Sequence, residues 1–181
     1  MKAAKAKSPR KAARPAKDET EIIELVPAVL KVKRVLVPFD FSPLCRKALR
    51  YALGFAEQFG AEVVLVHVVE PQISPVDYLV VPPEMEDVNI RLREAATEKL
   101  AGIVTRMKKK TRVGAKALVR IGKPFQEIAD VAAAEDVDLV ILATHGYTGL
   151  KHAYLGSVAE RVVQYAPCPV LVVRERGHRL V

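Results

Sequence analysis

The chain has 181 residues, of which 50% are hydrophobic and only 6% aromatic, and its 29 basic and 21 acidic residues give a formal net charge of +8. This length predicts one domain with a core of aliphatic residues, plus some tail. No apolar run approaches the roughly 18 residues of a membrane span, and no secretory segment follows Met1, so we expect a cytoplasmic protein without a membrane partner. Cys45 and Cys168 lack metal-ligand neighbours, which predicts buried thiols and no metal site.

The positive charge is concentrated at the N-terminus. Residues 1–17 contain seven basic residues and no acid, which leaves 22 basic against 21 acidic residues in the remainder. We therefore predict a basic disordered tail and linker over residues 1–30, a folded domain over 31–176 and a short C-terminal tail over 177–181. A basic tail can bind nucleic acid by neutralising phosphates. The alternative, which we favour, is a solubilising extension without a specific partner.

The first half of the domain predicts two strands and two helices. The apolar run RVLVPF (34–39) predicts a strand, and AEVVLVHVVEP (61–71) predicts a second. Between them, Ser42 and Pro43 fit the cap and first position of a helix that Gly60 ends. The amphipathic segment MEDVNIRLREAATEKLAGIVTRMKKK predicts a long helix with a basic last turn.

The second half repeats the alternation of strand and helix. Strands are predicted over residues 113–122, 137–144 and 169–175, with one helix that opens at Pro124 and another over 158–166. Connections of this length imply parallel strands. The sequence therefore predicts an α/β fold, a doubly wound parallel five-stranded sheet in the order 3-2-1-4-5 with helices on both faces.

A ligand crevice is expected where the winding of such a sheet reverses, between strands 1 and 4. Asp40 follows strand 1 and can accept hydrogen bonds from ribose hydroxyls. The segment ATHGYTGLKHAYLGSVAERVV follows strand 4, and its glycines Gly146, Gly149 and Gly156 let backbone N–H groups approach an anion. Ser157 begins the last helix, whose N-terminus favours phosphate. This chemistry predicts a nucleotide with its sugar near Asp40 and its phosphates over Gly146 to Ser157.

Each of these features also has a purely structural interpretation. Ser157 and Glu160 match a capping box, Gly149 and Gly156 suit a loop with positive φ, and Asp40 can cap the first helix. Neither a Walker A sequence nor a GxGxxG after strand 1 is present. His145 has no partner for acid–base catalysis, so no catalytic residue is predicted.

Two segments resemble the universal stress protein family, and the likeness covers residues 33–174. VLVPFDFSPLCRKALRYALGFAEQFGAEVVLVHVVEP is similar to its opening strand–helix–strand unit, and THGYTGLKHAYLGSVAERVVQYAPCPVLVVR to its closing signature. That signature has a glycine, any two residues, a second glycine, any nine residues, and then a third glycine that is followed by Ser or Thr. In nucleotide-binding members these positions hold the phosphates and ribose of ATP.

The resemblance implies a set of site residues. Val68 corresponds to the backbone contact on the adenine side, and Ala143 stands where the signature has its first glycine, so that its methyl group is expected to crowd the sugar or the first phosphate. The implied ligand-binding residues are Pro38, Phe39, Asp40, Val68, Ala143, Gly146, Gly156, Ser157 and Val158.

The resemblance also implies a function and a partner. It implies a cytoplasmic stress-response regulator that binds ATP, with Mg²⁺ or Mn²⁺ left open, and that forms a homodimer through the last strand. Two alternatives stay open, a ligand-free dimeric interaction module and a slow ATPase.

Overall fold

The computed structural model describes residues 29–71, 83–144 and 155–174. Within these ranges strands and helices alternate, and each strand agrees with its sequence prediction to within two residues at either end. No helix in these ranges combines the length and apolar character needed to cross a bilayer. The elements are β1 (Arg34–Pro38), α1 (Pro43–Phe59), β2 (Glu62–Val69), α2 (Pro83–Lys110), β3 (Ala115–Ile121), α3 (Pro124–Ala134), β4 (Leu139–Ala143), α4 (Ser157–Tyr165) and β5 (Val170–Val173).

The strands form one parallel sheet in the order β3-β2-β1-β4-β5, which confirms the predicted topology. β1 lies at the centre, where Leu36 is in register with Val64 of β2 and Val140 of β4. The chain winds outward from β1 to β3 and then returns to β4. The reversal therefore falls between β1 and β4, and the carboxyl ends of these strands share one edge of the sheet.

Helices cover both faces of the sheet and define two cores. Val35 and Val37 point to the face covered by α1 and α2, whereas Leu36 points to the face covered by α3 and α4. All three side chains are fully buried. Burial of an aliphatic side chain contributes about 1.5–3 kcal/mol, which is why a short strand with no polar face is stable at the centre of the sheet.

The ends of α1 follow the sequence prediction. Ser42 is the N-cap, its hydroxyl accepts a hydrogen bond of 3.1 Å from the backbone N–H of Cys45, and Pro43 occupies the first helical turn. Gly60 ends the helix with φ 68°, a left-handed conformation that favours glycine. The Ser42 cap fixes the start of α1 immediately after the turn that follows β1.

A carboxylate ties β1 to β4 at the amino edge of the sheet, opposite the expected crevice. Asp138 Oδ2 accepts hydrogen bonds from the backbone N–H groups of Lys33 (2.7 Å) and Arg34 (2.9 Å). Nearby, the Lys116 ammonium is bonded to Glu135 and lowers the pKa of that carboxyl. Asp138 therefore joins the start of β1 to the start of β4, and the Lys116–Glu135 pair joins β3 to the end of α3.

Candidate functional site

The turn after β1 presents the Asp40 carboxylate at the carboxyl edge of the sheet. Phe39 continues the strand direction, since its N–H donates a hydrogen bond of 2.8 Å to the Val66 carbonyl. Asp40 Oδ1 accepts from the N–H of Ser42 at 3.0 Å, so Asp40 orders the residue that caps α1 and is not itself the cap. A carboxylate has about four acceptor positions, so Asp40 can accept more than one hydrogen bond.

Val68 lies on β2 beyond the last pairing with β1. That pairing ends at Pro38–Val66, and the Val66 carbonyl faces β1. Backbone groups of alternate residues face the same side of a strand, so the N–H and C=O of Val68 also face the β1 side, past its end. Among the described residues, none bonds to them. Val68 thus offers one donor and one acceptor, side by side, to the crevice.

The start of α4 is joined to the end of β4. The N–H of Gly156 donates a hydrogen bond of 2.7 Å to the carbonyl of Thr144, the residue that follows β4. Gly156 is the N-cap, and no side chain caps the helix, so the capping-box interpretation of Ser157 and Glu160 is wrong. The positive-φ interpretation is also wrong for Gly156, whose φ is −70°. Gly149 lies outside the described residues.

The first turn of α4 has free backbone donors. Ser157, Val158 and Ala159 are the first helical residues, so their N–H groups have no intrahelical acceptor. Within residues 29–71, 83–144 and 155–174, no group accepts from them. Ser157 and Val158 are exposed. A helix start of this kind attracts anions through its N–H groups and its dipole.

The methyl group of Ala143 does not face α4. Ala143 is the last residue of β4 and packs against the core on the α1 side of the sheet. Ala159 and Val162 of α4 belong to the core on the opposite side. The crowding expected from Ala143 is therefore directed toward the α1 face, away from the helix start that carries the free N–H groups.

The sheet register brings most of the predicted site residues to one edge. Val35 is in register with Leu139 and Leu36 with Val140, and Asp40 and Thr144, the partner of Gly156, each lie four residues beyond the last of these pairs. Asp40 and Thr144 each follow the carboxyl end of a strand, so the Asp40 turn and the start of α4 lie at the same edge of the sheet. Gly146 lies outside the described residues, as does His145, and their placement stays a prediction.

The structure adds three residues to the site that the sequence reasoning did not assign. His67 Nδ1 lies 2.7 Å from the Phe39 carbonyl oxygen, and the His67 ring contacts the Phe41 ring with centroids 4.8 Å apart. Lys99 Nζ of α2 lies 5.7 Å from the Phe41 centroid. The available sequence signal was His67 itself, a polar residue inside the apolar run EVVLVHVV.

The cysteines are not candidates for nucleophiles. Burial raises the pKa of the Cys45 thiol to about 12, and its Sγ lies 3.0 Å from the Ser42 carbonyl oxygen. Cys168 is only partly buried, so the prediction of a buried thiol is wrong for this residue, although its partial burial still raises the pKa of the thiol. A thiol with a raised pKa carries little thiolate near neutral pH. No cluster of three or more His, Cys, Asp or Glu side chains suited to a metal ion occurs in the described part of the chain.

A doubly wound α/β domain with a crevice at the reversal point defines a class of proteins that place ligands at the carboxyl edge of the sheet. Within that class, the family model described as "Universal stress protein family" matches residues 31–174. The chain belongs to the universal stress protein family.

Individual relatives support this assignment. Universal stress protein MJ0531 of Methanocaldococcus jannaschii is 36% identical over 143 residues, covering 79% of this chain and 82% of that protein. Universal stress protein MJ0577 of the same organism is 33% identical over 156 residues, with 80% and 96% coverage. The solved structure of MJ0577 superposes with a TM-score of 0.71 at 31% identity, over 82% of this chain and all of the other.

Other family members share the fold at lower identity. A universal stress protein from Archaeoglobus fulgidus, solved in complex with dAMP, has a TM-score of 0.53 and 21% identity over 80% of this chain and 98% of its own. A universal stress protein solved in complex with cAMP has the same TM-score at 19% identity over 80% of this chain and 98% of its own.

Proposed function

We propose that this universal stress protein is a cytoplasmic, homodimeric stress-response regulator that binds an adenine nucleotide, ATP first among them, in the crevice between β1 and β4. Nucleotide occupancy would act by altering the surface that the dimer presents to its partners. The observation that carries the proposal is the position of Val68, whose backbone N–H and C=O face the crevice beyond the end of β1. Two family members solved with dAMP and cAMP are consistent with it.

The base is recognised by Val68 in this proposal. The N1 atom of adenine is an acceptor and its adjacent amino group is a donor, so this edge of the base complements one backbone N–H beside one backbone C=O. A 6-oxo purine presents the opposite pattern at these positions. Backbone recognition needs no particular side chain at Val68, which explains why an aliphatic residue suits a site that binds a polar base edge.

The sugar and phosphates lie toward Asp40 and α4. The Asp40 carboxylate accepts hydrogen bonds from the ribose hydroxyls, and such charge-assisted bonds are stronger than neutral ones. The N–H groups of Ser157 and Val158, at a helix start that no side chain caps, bind the phosphates. We expect Mg²⁺ or Mn²⁺ to be carried mainly by phosphate oxygens, as Mg²⁺ usually is in nucleotide sites.

Calorimetric titration of the full chain with ATP, ADP and AMP tests nucleotide binding. We expect micromolar dissociation constants for the wild type. The Asp40→Asn variant keeps an oxygen for the Ser42 N–H but lacks the charge, so its affinity for ATP should fall by about tenfold or more. 2′,3′-Dideoxy-ATP lacks both ribose hydroxyls and should bind the two proteins equally. If none of these nucleotides binds the wild type, a ligand-free interaction module becomes the better account.

The homodimer is proposed to form through β5. The Pro169 carbonyl accepts from β4 and the Val173 carbonyl from Thr144, the residue after β4, so the backbone groups of Val170 and Val172 face the other side of the strand. No described strand pairs with that side. An unpaired apolar edge invites a second strand, and a second copy of β5 supplies one with matching chemistry.

Sedimentation analysis of β5 variants tests this interface. Val172→Pro removes the N–H that faces the unpaired side of β5, and an edge strand tolerates proline at such a position. Val172→Ala keeps this N–H. The wild type and the Val172→Ala variant should sediment as dimers, and the Val172→Pro variant should sediment as a monomer. A monomeric wild type, or a Val172→Pro variant that stays dimeric, would exclude pairing through β5.

A further inference from the structure

A cleft adjoins the proposed base site on the α2 side of the sheet. It has a volume of about 340 Å³ and lies between the carboxyl end of β2 and the first half of α2. Phe41 forms one wall, and small or aliphatic residues of α2, among them Leu92 and Ala96, form the other. A mostly apolar cleft with a few polar groups is the usual form of a small-molecule site. Its polar side chains are His67, Glu70 and Lys99.

The tautomer of the neutral His67 ring follows from the hydrogen-bond partner of Nδ1. Nδ1 lies 2.7 Å from the carbonyl oxygen of Phe39, and a carbonyl oxygen only accepts hydrogen bonds. Nδ1 therefore carries a proton, and in the neutral imidazole Nε2 is an acceptor. Nε2 has no hydrogen-bond partner among the residues that the structure describes. His67 thus brings an unused acceptor to the cleft, one residue before Val68.

Aromatic contacts hold the His67 ring in place. The Phe41 ring packs on it at 4.8 Å with an interplanar angle of 51°, and Phe41 is itself packed edge-to-face on Phe39 at 5.5 Å. Phe41 adopts φ 66°, a conformation that residues other than glycine rarely take unless the surrounding structure holds them there. The turn after β1 therefore positions the imidazole before any ligand arrives, which reduces the entropy lost on binding.

We propose that His67, through Nε2, accepts a hydrogen bond from the exocyclic amino group of the bound adenine, beside the bonds made by the backbone of Val68. The inference rests on the proposed nucleotide-binding function. An exocyclic amino group has two N–H donors, so the Val68 carbonyl takes one and His67 takes the other. A 6-oxo purine would place its oxygen against two acceptors, and His67 therefore sets the preference for adenine over hypoxanthine.

Ligands that differ only at this amino group test the proposal on the unmodified protein. Calorimetry should show that N6-methyl-ATP, which keeps a single N–H, binds the wild type about tenfold more weakly than ATP. ITP should bind more weakly still, because its 6-oxo group leaves both protein acceptors unpaired. If the wild type binds ATP and N6-methyl-ATP equally well, the second N–H has no partner and the proposal is overturned.

The His67→Asn variant separates reading of the base from support of the turn. The asparagine amide nitrogen can replace Nδ1 as donor to the Phe39 carbonyl, but no atom replaces Nε2. We expect ATP affinity to fall about threefold to tenfold and the preference for ATP over N6-methyl-ATP to disappear. If the substitution lowers the affinities for ATP and N6-methyl-ATP equally, or lowers neither, then His67 only supports the turn.

The outcomes also distinguish this inference from the proposed function. A wild type that binds ATP without discriminating against N6-methyl-ATP overturns the role of His67 and leaves nucleotide binding intact. A wild type that binds no adenine nucleotide overturns both. Should His67→Asn fail to fold, the comparison of the three ligands on the wild type still decides.

Discussion

The backbone N–H of Gly156 donates a hydrogen bond of 2.7 Å to the carbonyl of Thr144. This bond joins the cap of α4 to the residue that follows β4, although 12 positions separate the two in sequence. Thr144 is itself fixed, because its N–H donates to the Val173 carbonyl at 3.0 Å and only 3% of its surface is exposed. The start of α4 is therefore held by the sheet rather than by its own capping side chain.

Replacing Gly156 with proline should lower the free energy of unfolding by about 1 kcal/mol, because proline has no N–H for Thr144. The native φ of −70° suits proline, so loss of the hydrogen bond is the main effect. Gly156→Ala keeps the N–H at the same backbone conformation and serves as the control, expected within about 0.5 kcal/mol of the wild type. Urea unfolding of the three proteins measures the difference, and equal stability of the two variants would contradict the role of the bond.

The fold was predictable because its signals are local and mutually consistent. The apolar run of β1, the cap at Ser42 and the glycine at Gly60 each specify an element boundary without reference to the rest of the chain. The alternation of strands and helices then predicts one parallel, doubly wound sheet. The start of α4 was mispredicted by one residue because Ser157 looks like a cap in sequence, whereas the bond from Gly156 to Thr144 assigns the cap to Gly156.

The site was only partly predictable because several of its features arise from tertiary contacts. The availability of the Val68 backbone depends on where β1 stops pairing with β2, which no local pattern reveals. The contact between Phe41 and His67 joins residues 26 positions apart and needs a left-handed turn at a phenylalanine. Likewise, the direction of the Ala143 methyl group follows from strand alternation once the faces of the sheet are known.

Two glycine-to-alanine substitutions should change stability in opposite directions. Gly122 has φ 155°, and an added Cβ would lie 2.5 Å from Glu127 Oε1, so Gly122→Ala should lower the free energy of unfolding by about 1–3 kcal/mol. The Glu127 side chain can move, but the backbone strain remains. Gly102 lies inside α2 with nothing within 4 Å of an added Cβ, so Gly102→Ala should raise stability by about 0.5–1 kcal/mol. Denaturant midpoints measure both, and a stabilising Gly122→Ala would contradict the strain argument.

The buried Cys45 thiol should make stability depend on pH in the alkaline range. Its pKa rises from 9.0 to about 12 on folding, mainly through burial, so above pH 9 the unfolded chain releases a proton that the folded chain keeps. The stability due to this group is therefore complete below pH 9 and is lost as pH rises toward 12. Relative to Cys45→Ala, the wild type should lose about 1 kcal/mol between pH 9 and pH 10.

Urea unfolding of both proteins at pH 8, 9 and 10 measures this difference. The alanine variant also loses packing, but that cost is the same at each pH and cancels in the comparison. Parallel pH profiles for the wild type and Cys45→Ala would show that the thiol ionises equally in the folded and unfolded chains.

Amide chemical shifts of the ¹⁵N-labelled full chain during titration with ATP test the central claim most directly. The account predicts large shifts at Val68, Ser157 and Val158, because their N–H groups contact the base and the phosphates. Lys33 and Glu62, at the amino edge of the sheet, should remain unchanged and serve as internal controls. The proposed site would be contradicted if saturation with ATP left the amide signals of Val68 and Ser157 unchanged, or if it shifted the signals of residues at the amino edge of the sheet instead.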